Sequence, residues 1–404
     1  SYDHPRTGAL CRSRSRHALY SPGVLKMTRD LILVMISLWA WGTGEGLFIY
    51  FQPLYLQQWG ADPVLIGAIF GGMGIGMAVS QIPAGYLADR LGPRPIMWLS
   101  WGLGAAAALA MAAANTLTAF VIGLLLYGLT AFALAPMNAY ITRVRGTLGA
   151  GRALTFASAA YNFGAVIGPT VGGAVAEGLG LRTVYWIAAA AFTVSTVLVL
   201  FVRNAPPEHH PEPHVKGQLH RNSRFMFLVI LSLLTMFSLY LAQPLTPNYL
   251  QNERGLSVQQ IGWMGSAASL GNVIIMLLLG SLSPLAGFLV GLPLVALFAI
   301  LMWRGNSLPV FAIGYFLMGG YRLSRSMVLA VGRALIHPAE TGLAYGMLET
   351  ANALATILAP PLAGYLYKSS PALVYQVALL SIGVVLLLNL LVWALLTRRK
   401  AAVA

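Results

Sequence analysis

Four ionisable residues stand inside long apolar stretches: Glu45, Arg322, Arg325 and Glu349. A charge at the centre of a bilayer costs about 2.5–3.5 kcal/mol on an insertion scale, so each needs a compensating role. Arg322 and Arg325 are three residues apart and share a helix face. Two neighbouring guanidiniums repel unless an anion lies between them. That anion is either a substrate carboxylate or phosphate, which arginine grips bidentately, or one of the chain's own Glu45 and Glu349. Glu45 is flanked by Gly44 and Gly46, which let a helix or a ligand come close. A carboxyl balanced between burial and a nearby arginine is a candidate proton carrier; a permanently paired carboxylate is the alternative. Tyr50, Gln52, Asn138, Tyr240, Gln243, Asn248 and Tyr321 bring further hydrogen-bonding groups into the same stretches. Each of these suits an interhelical hydrogen bond as well as a ligand contact.

The elements that must hold these groups are membrane helices. The chain has 404 residues, 58% of them hydrophobic and 9% charged. Its mean hydropathy is +0.73, more apolar surface than a soluble domain can hide. Hydropathy predicts twelve helices, over 31–56, 64–88, 95–114, 117–141, 153–177, 183–203, 225–251, 258–283, 285–303, 309–335, 340–367 and 372–397. Each is long enough to cross about 30 Å of hydrocarbon. Strand-period alternation is absent, which argues against a membrane β-barrel. On these boundaries Arg322 and Glu349 lie about 20 Å and about 14 Å into their helices, both near mid-membrane.

The net charge of +14 raises the question of nucleic acid, but its placement answers otherwise. With both termini inside, nineteen Lys and Arg fall on the cytoplasmic side and only Arg182, Arg254, Arg304 and Lys368 outside. That is the positive-inside pattern of a protein in the cytoplasmic (inner) membrane. No nucleic-acid partner is expected; the lipid bilayer and a small-molecule substrate are, for a monomer. The lone Cys11 excludes a disulfide framework and a cysteine metal cluster.

The expected organisation is a basic N-terminal tail over 1–30, a six-helix bundle over 31–203, a linker over 204–224, a second bundle over 225–397 and a short tail over 398–404. Met27 reads as the natural start behind an upstream extension, or residues 1–26 are a genuine tail. His209, His210 and His214 in the linker could bind metal, but a solvated Pro- and His-rich linker is the better reading, so no metal site is assigned.

The two bundles repeat one another. Pro53-Leu54-Tyr55-Leu56-Gln57 returns as Pro247-Asn248-Tyr249-Leu250-Gln251, and Ile66-Gly67 as Ile261-Gly262. Gly168-Pro169 aligns with Ala359-Pro360, and Gly85 to Gly92 has a degraded echo at Gly280 to Gly287. Parallel six-helix repeats about an axis along the membrane normal place a substrate site between the halves at the midplane.

Two motifs carry a family resemblance. Gly85, Asp89, Arg90, Gly92 and Arg94 form a short charged turn after the second apolar span, with Pro93 in place of one basic residue. This resembles the cytoplasmic loop between helices 2 and 3 of the major facilitator superfamily of transporters. Gly164, Gly168, Pro169, Gly172 and Gly173 resemble the helix-5 pattern of its proton-coupled exporters. Those exporters usually carry an arginine in helix 4, and here that position is Leu124.

The resemblance implies an all-α, twelve-helix polytopic fold in two six-helix pseudo-repeats, with helices 1, 4, 7 and 10 around a central cavity. It also implies that Asp89 meets the positive end of helix 11, which begins after Pro338, and holds the cytoplasmic side closed. The expected activity is secondary transport by alternating access, with a proton gradient as driving force, no cofactor, and export of a small organic or amphiphilic molecule. Uptake or flipping of an organic anion or lipid-like substrate is the alternative. Rivals from other classes are a non-transporting sensor and a membrane-embedded transferase, for which only His337 and Glu340 offer themselves.

Overall fold

The computed structural model describes residues 27–204, 222–337 and 341–401, apart from the side chains of 82, 85, 89, 341–343 and 393–401. The expectations for the tail before Met27, for His209, His210 and His214, for Glu340, for the contact of Asp89 with the start of helix 11 and for the final basic cluster fall outside these residues.

Regular structure among the described residues is helical throughout. Sixteen helices trace twelve passes. The first half comprises α1 (Arg29–Phe48) with α2 (Gln52–Gln58), α3 (Pro63–Leu91), α4 (Pro93–Ala113), α5 (Leu117–Leu129) with α6 (Leu134–Arg143), α7 (Ala150–Leu179) and α8 (Leu181–Leu200). The second comprises α9 (Ser223–Tyr240) with α10 (Thr246–Asn252), α11 (Val258–Leu279), α12 (Pro284–Arg304), α13 (Leu308–Leu317) with α14 (Gly320–Arg333), α15 (Thr341–Ser369) and α16 (Leu373–Ala401). Nine passes are long and apolar enough to cross a membrane on composition alone, among the described residues. The passes outside that set are α7, α13 with α14, and α15, which are rich in glycine, interrupted, or charged.

Four spans read as continuous are interrupted. They are the first, fourth, seventh and tenth passes, one in each consecutive group of three. Pro53 and Pro247 sit in the first turns of α2 and α10, where a missing N–H does no harm, and the chain turns just before them. Residues Thr130–Ala133 wind as a 3-10 turn between α5 and α6. At Gly319 the backbone passes so close to α11 that a Cβ would lie 2.6 Å from the Gly271 carbonyl oxygen.

The charged motif also differs from its reading as a turn. Residues 85–91 form the last turns of α3, and Gly92 alone reverses the chain, at φ 80°. Glycine adopts that conformation without steric penalty. Pro93 then opens α4, which suits its fixed φ and explains why it replaces a basic residue there. Arg90 lies 4.4 Å from the Tyr86 ring centre, and Arg94 lies 4.0 Å from that of Trp98.

Each half has its own aromatic core. Phe48, Phe120, Tyr185 and Phe192 are buried in the first, and Phe288, Phe298, Tyr315 and Tyr375 in the second. The repeated tyrosines take matching roles: Tyr55 packs on Tyr185 at 5.0 Å between ring centres, Tyr249 on Tyr375 at 4.7 Å.

The halves meet along two seams, α3 with α15 and α7 with α11. The glycines of the internal repeat build both. A Cβ on Gly67 would lie 2.3 Å from the Pro360 carbonyl oxygen, and one on Gly262 would lie 2.4 Å from that of Pro169. Small residues allow this backbone approach, which is what holds helices together in lipid. Among the described residues, the hydrogen bonds between the halves lie between mid-membrane and the end remote from the termini. Midway along, Ser266 donates to the Val166 carbonyl at 2.6 Å. At the remote end Asn248 donates to the Pro53 carbonyl at 3.1 Å and to Gln57 at 2.5 Å. Gln57 and Asn252 exchange amide hydrogen bonds of 3.1 Å, and Lys368 pairs with Asp62 at 2.9 Å. We refer to this set as the clasp.

Candidate functional site

α1 brings Glu45 to the middle of the first half. The motif on α7 makes that possible. Gly164, Gly168 and Gly172 press against α1, where a Cβ would lie 2.4 Å from the Trp39 carbonyl oxygen, 2.7 Å from the Gly46 Cα and 2.2 Å from the Leu47 carbonyl oxygen, respectively. Gly173 and Pro169 face α11 instead. The motif therefore sets the depth of α1 and one seam between the halves together.

The Tyr161 hydroxyl, on α7, donates to Glu45 Oε2 at 3.0 Å. Tyr127 and Trp41 stand by the same carboxylate. Trp41 in turn packs on Phe192 at 4.4 Å and on Trp101 at 5.2 Å between ring centres. Glu45 is thus an acid in an aromatic box, yet half-buried rather than sealed, because it borders the space between the halves.

α14 supplies the opposing charges. Arg325 pairs with Glu349 of α15 at 2.8 Å, with 42% and 36% of the two side chains exposed. Arg322 is exposed and has no hydrogen bond or ion pair among the described residues. Its charge is felt by Glu45, Tyr50 and Tyr161 in the other half and by Tyr321 in its own. The two arginines share a face but not a fate: one is neutralised within its half, the other is not.

The remaining candidates separate. Tyr321, next to Arg322 in sequence, donates to Asn352 at 2.9 Å, and its ring lies 5.7 Å from that of Tyr240. Tyr50 reaches from the first half to the second, against Gly265 and 6.4 Å from the Tyr315 ring. Asn248 belongs to the clasp, not to the charged centre. Gln243 donates to the Leu239 carbonyl at 2.8 Å, one turn back in its own pass. Gln52 is buried at the start of α2, and its Nε2 lacks a partner among the described residues. Asn138 is exposed in α6, away from the charges. Leu124 is fully buried in the core of the first half, so this position does not border the cavity. A cavity of about 190 Å³ at the clasp, lined by Gln57, Asn248, Asn252 and Tyr367, is separate from the charged centre.

Tyr161, Tyr127, Trp41 and Asn352 were not among the candidates. Tyr161 had a usable signal, since it stands three residues before Gly164 of the α7 motif. Trp41 had one too, four residues before Glu45 on the same helix; Tyr127 and Asn352 come from passes whose mutual rotation no sequence pattern fixes.

The sequence profile of the Major Facilitator Superfamily matches residues 32–283 and 228–404. The chain is 29% identical to the inner membrane transport protein YajR of Escherichia coli K12 over 172 residues, 40% of this chain and 38% of that protein. It is 32% identical to the multidrug resistance protein MdtG of Citrobacter koseri over 179 residues, 43% of this chain and 44% of that one. The matches thus span about two fifths of the length of these curated relatives. Among solved structures, the nucleoside transporter NupG superposes with a TM-score of 0.76 at 15% identity, over 91% of this chain and 99% of that one. The human organic anion transporter MFSD10 gives 0.64 at 19%, over 89% and 98%. At such identities the structural likeness speaks for the fold, and the profile speaks for the family: the chain is a multi-pass membrane protein that belongs to the Major Facilitator Superfamily.

Proposed function

We propose that the protein is a secondary active transporter that works by alternating access, a proton-coupled exporter of a small organic or amphiphilic molecule. The observation that carries this is the placement of Glu45 and Arg322. They come from opposite halves, the charge of one is felt by the other without an ion pair forming, and the halves are clasped at the remote end. A rocking motion that opens the clasp and closes the other end would present the same two charges to the other side of the membrane. Similarity to a multidrug resistance protein supports export. Family membership sets aside the transferase reading.

The membrane is the cytoplasmic one, with both termini and the linker inside, on the strength of the basic-residue distribution. In that membrane the protein acts as a monomer. Purified protein in liposomes, given an imposed proton gradient and a compound panel, tests the function: substrate moves against its gradient in wild type and not in Glu45→Gln. Coupled movement undiminished in that variant would remove Glu45 from the mechanism. Labelling of a cysteine at position 210 from outside intact cells would overturn the orientation.

A further inference from the structure

The centre of the cavity holds two charged pairs in different states. Arg325 and Glu349 lie in one half and are joined at 2.8 Å, so they cancel whatever the other half does. Glu45 and Arg322 lie in different halves and are not joined: Glu45 takes its hydrogen bond from Tyr161, and Arg322 has no ion-pair partner among the described residues. An anion of one half and a cation of the other, close enough for the charge of Arg322 to act on Glu45, are thus left without an ion pair. A ligand with one charge satisfies one of these groups and leaves the other exposed at mid-membrane depth, an unfavourable place for a lone charge. A ligand with both charges satisfies both and ties the halves together.

We infer that the substrate is a zwitterion, with its anionic group on Arg322 and its cationic group on Glu45. The tyrosines flanking these groups, Tyr240 and Tyr321 on one side and Tyr127 and Tyr161 on the other, suit an aromatic or aliphatic body between or beside the two charges. The inference rests on reading this cavity as the transport site, and it explains how an arginine coexists with proton exchange. A bare anion on Arg322 would be repelled by ionised Glu45 and so bind together with a proton. A zwitterion needs Glu45 ionised and so displaces the proton, as an antiporter requires.

The test is binding, measured as thermal stabilisation of the full chain in lipid nanodiscs, so that its result stands apart from any transport assay. Matched series on phenyl, naphthyl and decyl bodies each include an amino acid, its carboxylate-only analogue and its amine-only analogue. In at least one series the amino acid should bind roughly tenfold tighter than either single-charge analogue, the worth of one charge-assisted contact. Arg322→Gln should abolish its advantage over the amine, and Glu45→Gln its advantage over the carboxylate. The inference falls if no series favours the amino acid, or if both variants leave its advantage intact. Loss of flux in liposomes with these binding preferences preserved would count against the transport reading alone.

Discussion

The two halves share one architecture and differ in what they bring to the centre. At the seams they are interchangeable: Gly67 lies against Pro360 as Gly262 lies against Pro169. At the centre they are not. The first half presents a single acid, held by Tyr161 in a box of aromatic rings. The second presents two arginines and one glutamate on α14 and α15. The charged turn preserved near Gly92 has lost its acid–base pair in the second half, where Pro284 and Leu285 occupy the corresponding place. Duplication kept the parts that set helix-to-helix distance and let the chemistry diverge. Packing between helices in lipid tolerates few solutions, whereas an asymmetric ligand calls for two unlike faces.

The largest effect should come from the acid that only the first half has. Glu45→Gln is expected to reduce gradient-driven transport to the level of empty liposomes while the protein stays folded by circular dichroism. Equal loss on substituting Leu239, at the matching depth of the second half, would show that the asymmetry is not functional.

The seams should instead respond symmetrically. A leucine at Gly67 or at Gly262 would drive a side chain into backbone 2.3 Å or 2.4 Å away. Overpacking of this kind costs about 1–3 kcal/mol or more. Comparable falls in melting temperature for the two variants would sharpen the comparison; a fall at only one would break it.

Within the second half, Arg325→Ala alone and Glu349→Ala alone should each destabilise by about 1–2 kcal/mol, less than a fully buried pair because both side chains are partly exposed. The double variant should recover much of that loss. Additive losses in a thermal double-mutant cycle would mean the pair is not a closed unit, and Arg325 would join Arg322 as an available cation.

The smallest effect concerns the clasp. The hydrogen bond from Lys368, aided by the Leu65 backbone N–H, holds the Asp62 carboxyl below its usual range. A lowered value in the clasped state means the contact is intact above the ordinary carboxylate pKa and is lost as pH falls through the lowered value. Spin labels at positions 60 and 370, in a Cys11→Ser background, should show a longer distance in strong acid. Asp62→Asn should give that distance already at neutral pH. No change in either case would remove the Asp62–Lys368 pair from the clasp.

Much of this arrangement is legible in the sequence, and the limits are physical. The passes are legible because bilayer thickness sets their length and hydropathy is local. The seam glycines were visible through the repeat, since Ile66-Gly67 and Ile261-Gly262 need no knowledge of packing to be matched. The breaks at 49–51 and 241–245 were missed although Pro53 and Pro247 mark them, because an apolar run continues through each. Asn248 was grouped with the cavity, yet its position one turn beyond the break commits it to the clasp. The box around Glu45 was legible only in part, through Trp41 one turn before it and Tyr161 beside the α7 motif. It takes residues from three passes, and their relative rotation follows from α7 glycines pressing on α1, a contact that no periodicity in α4 to α6 reports.

The reciprocal contacts of Gly67 with Pro360 and Gly262 with Pro169 have the form of an isologous interface, in which a patch on one subunit meets the same patch on its twin. The chain is in that sense a homodimer sewn into a single polypeptide. Covalent continuity between the halves is then a convenience for matching two unlike faces in equal numbers rather than a condition of their docking. Two separate six-pass fragments carry, in those glycines and prolines, the information needed to find each other in a bilayer.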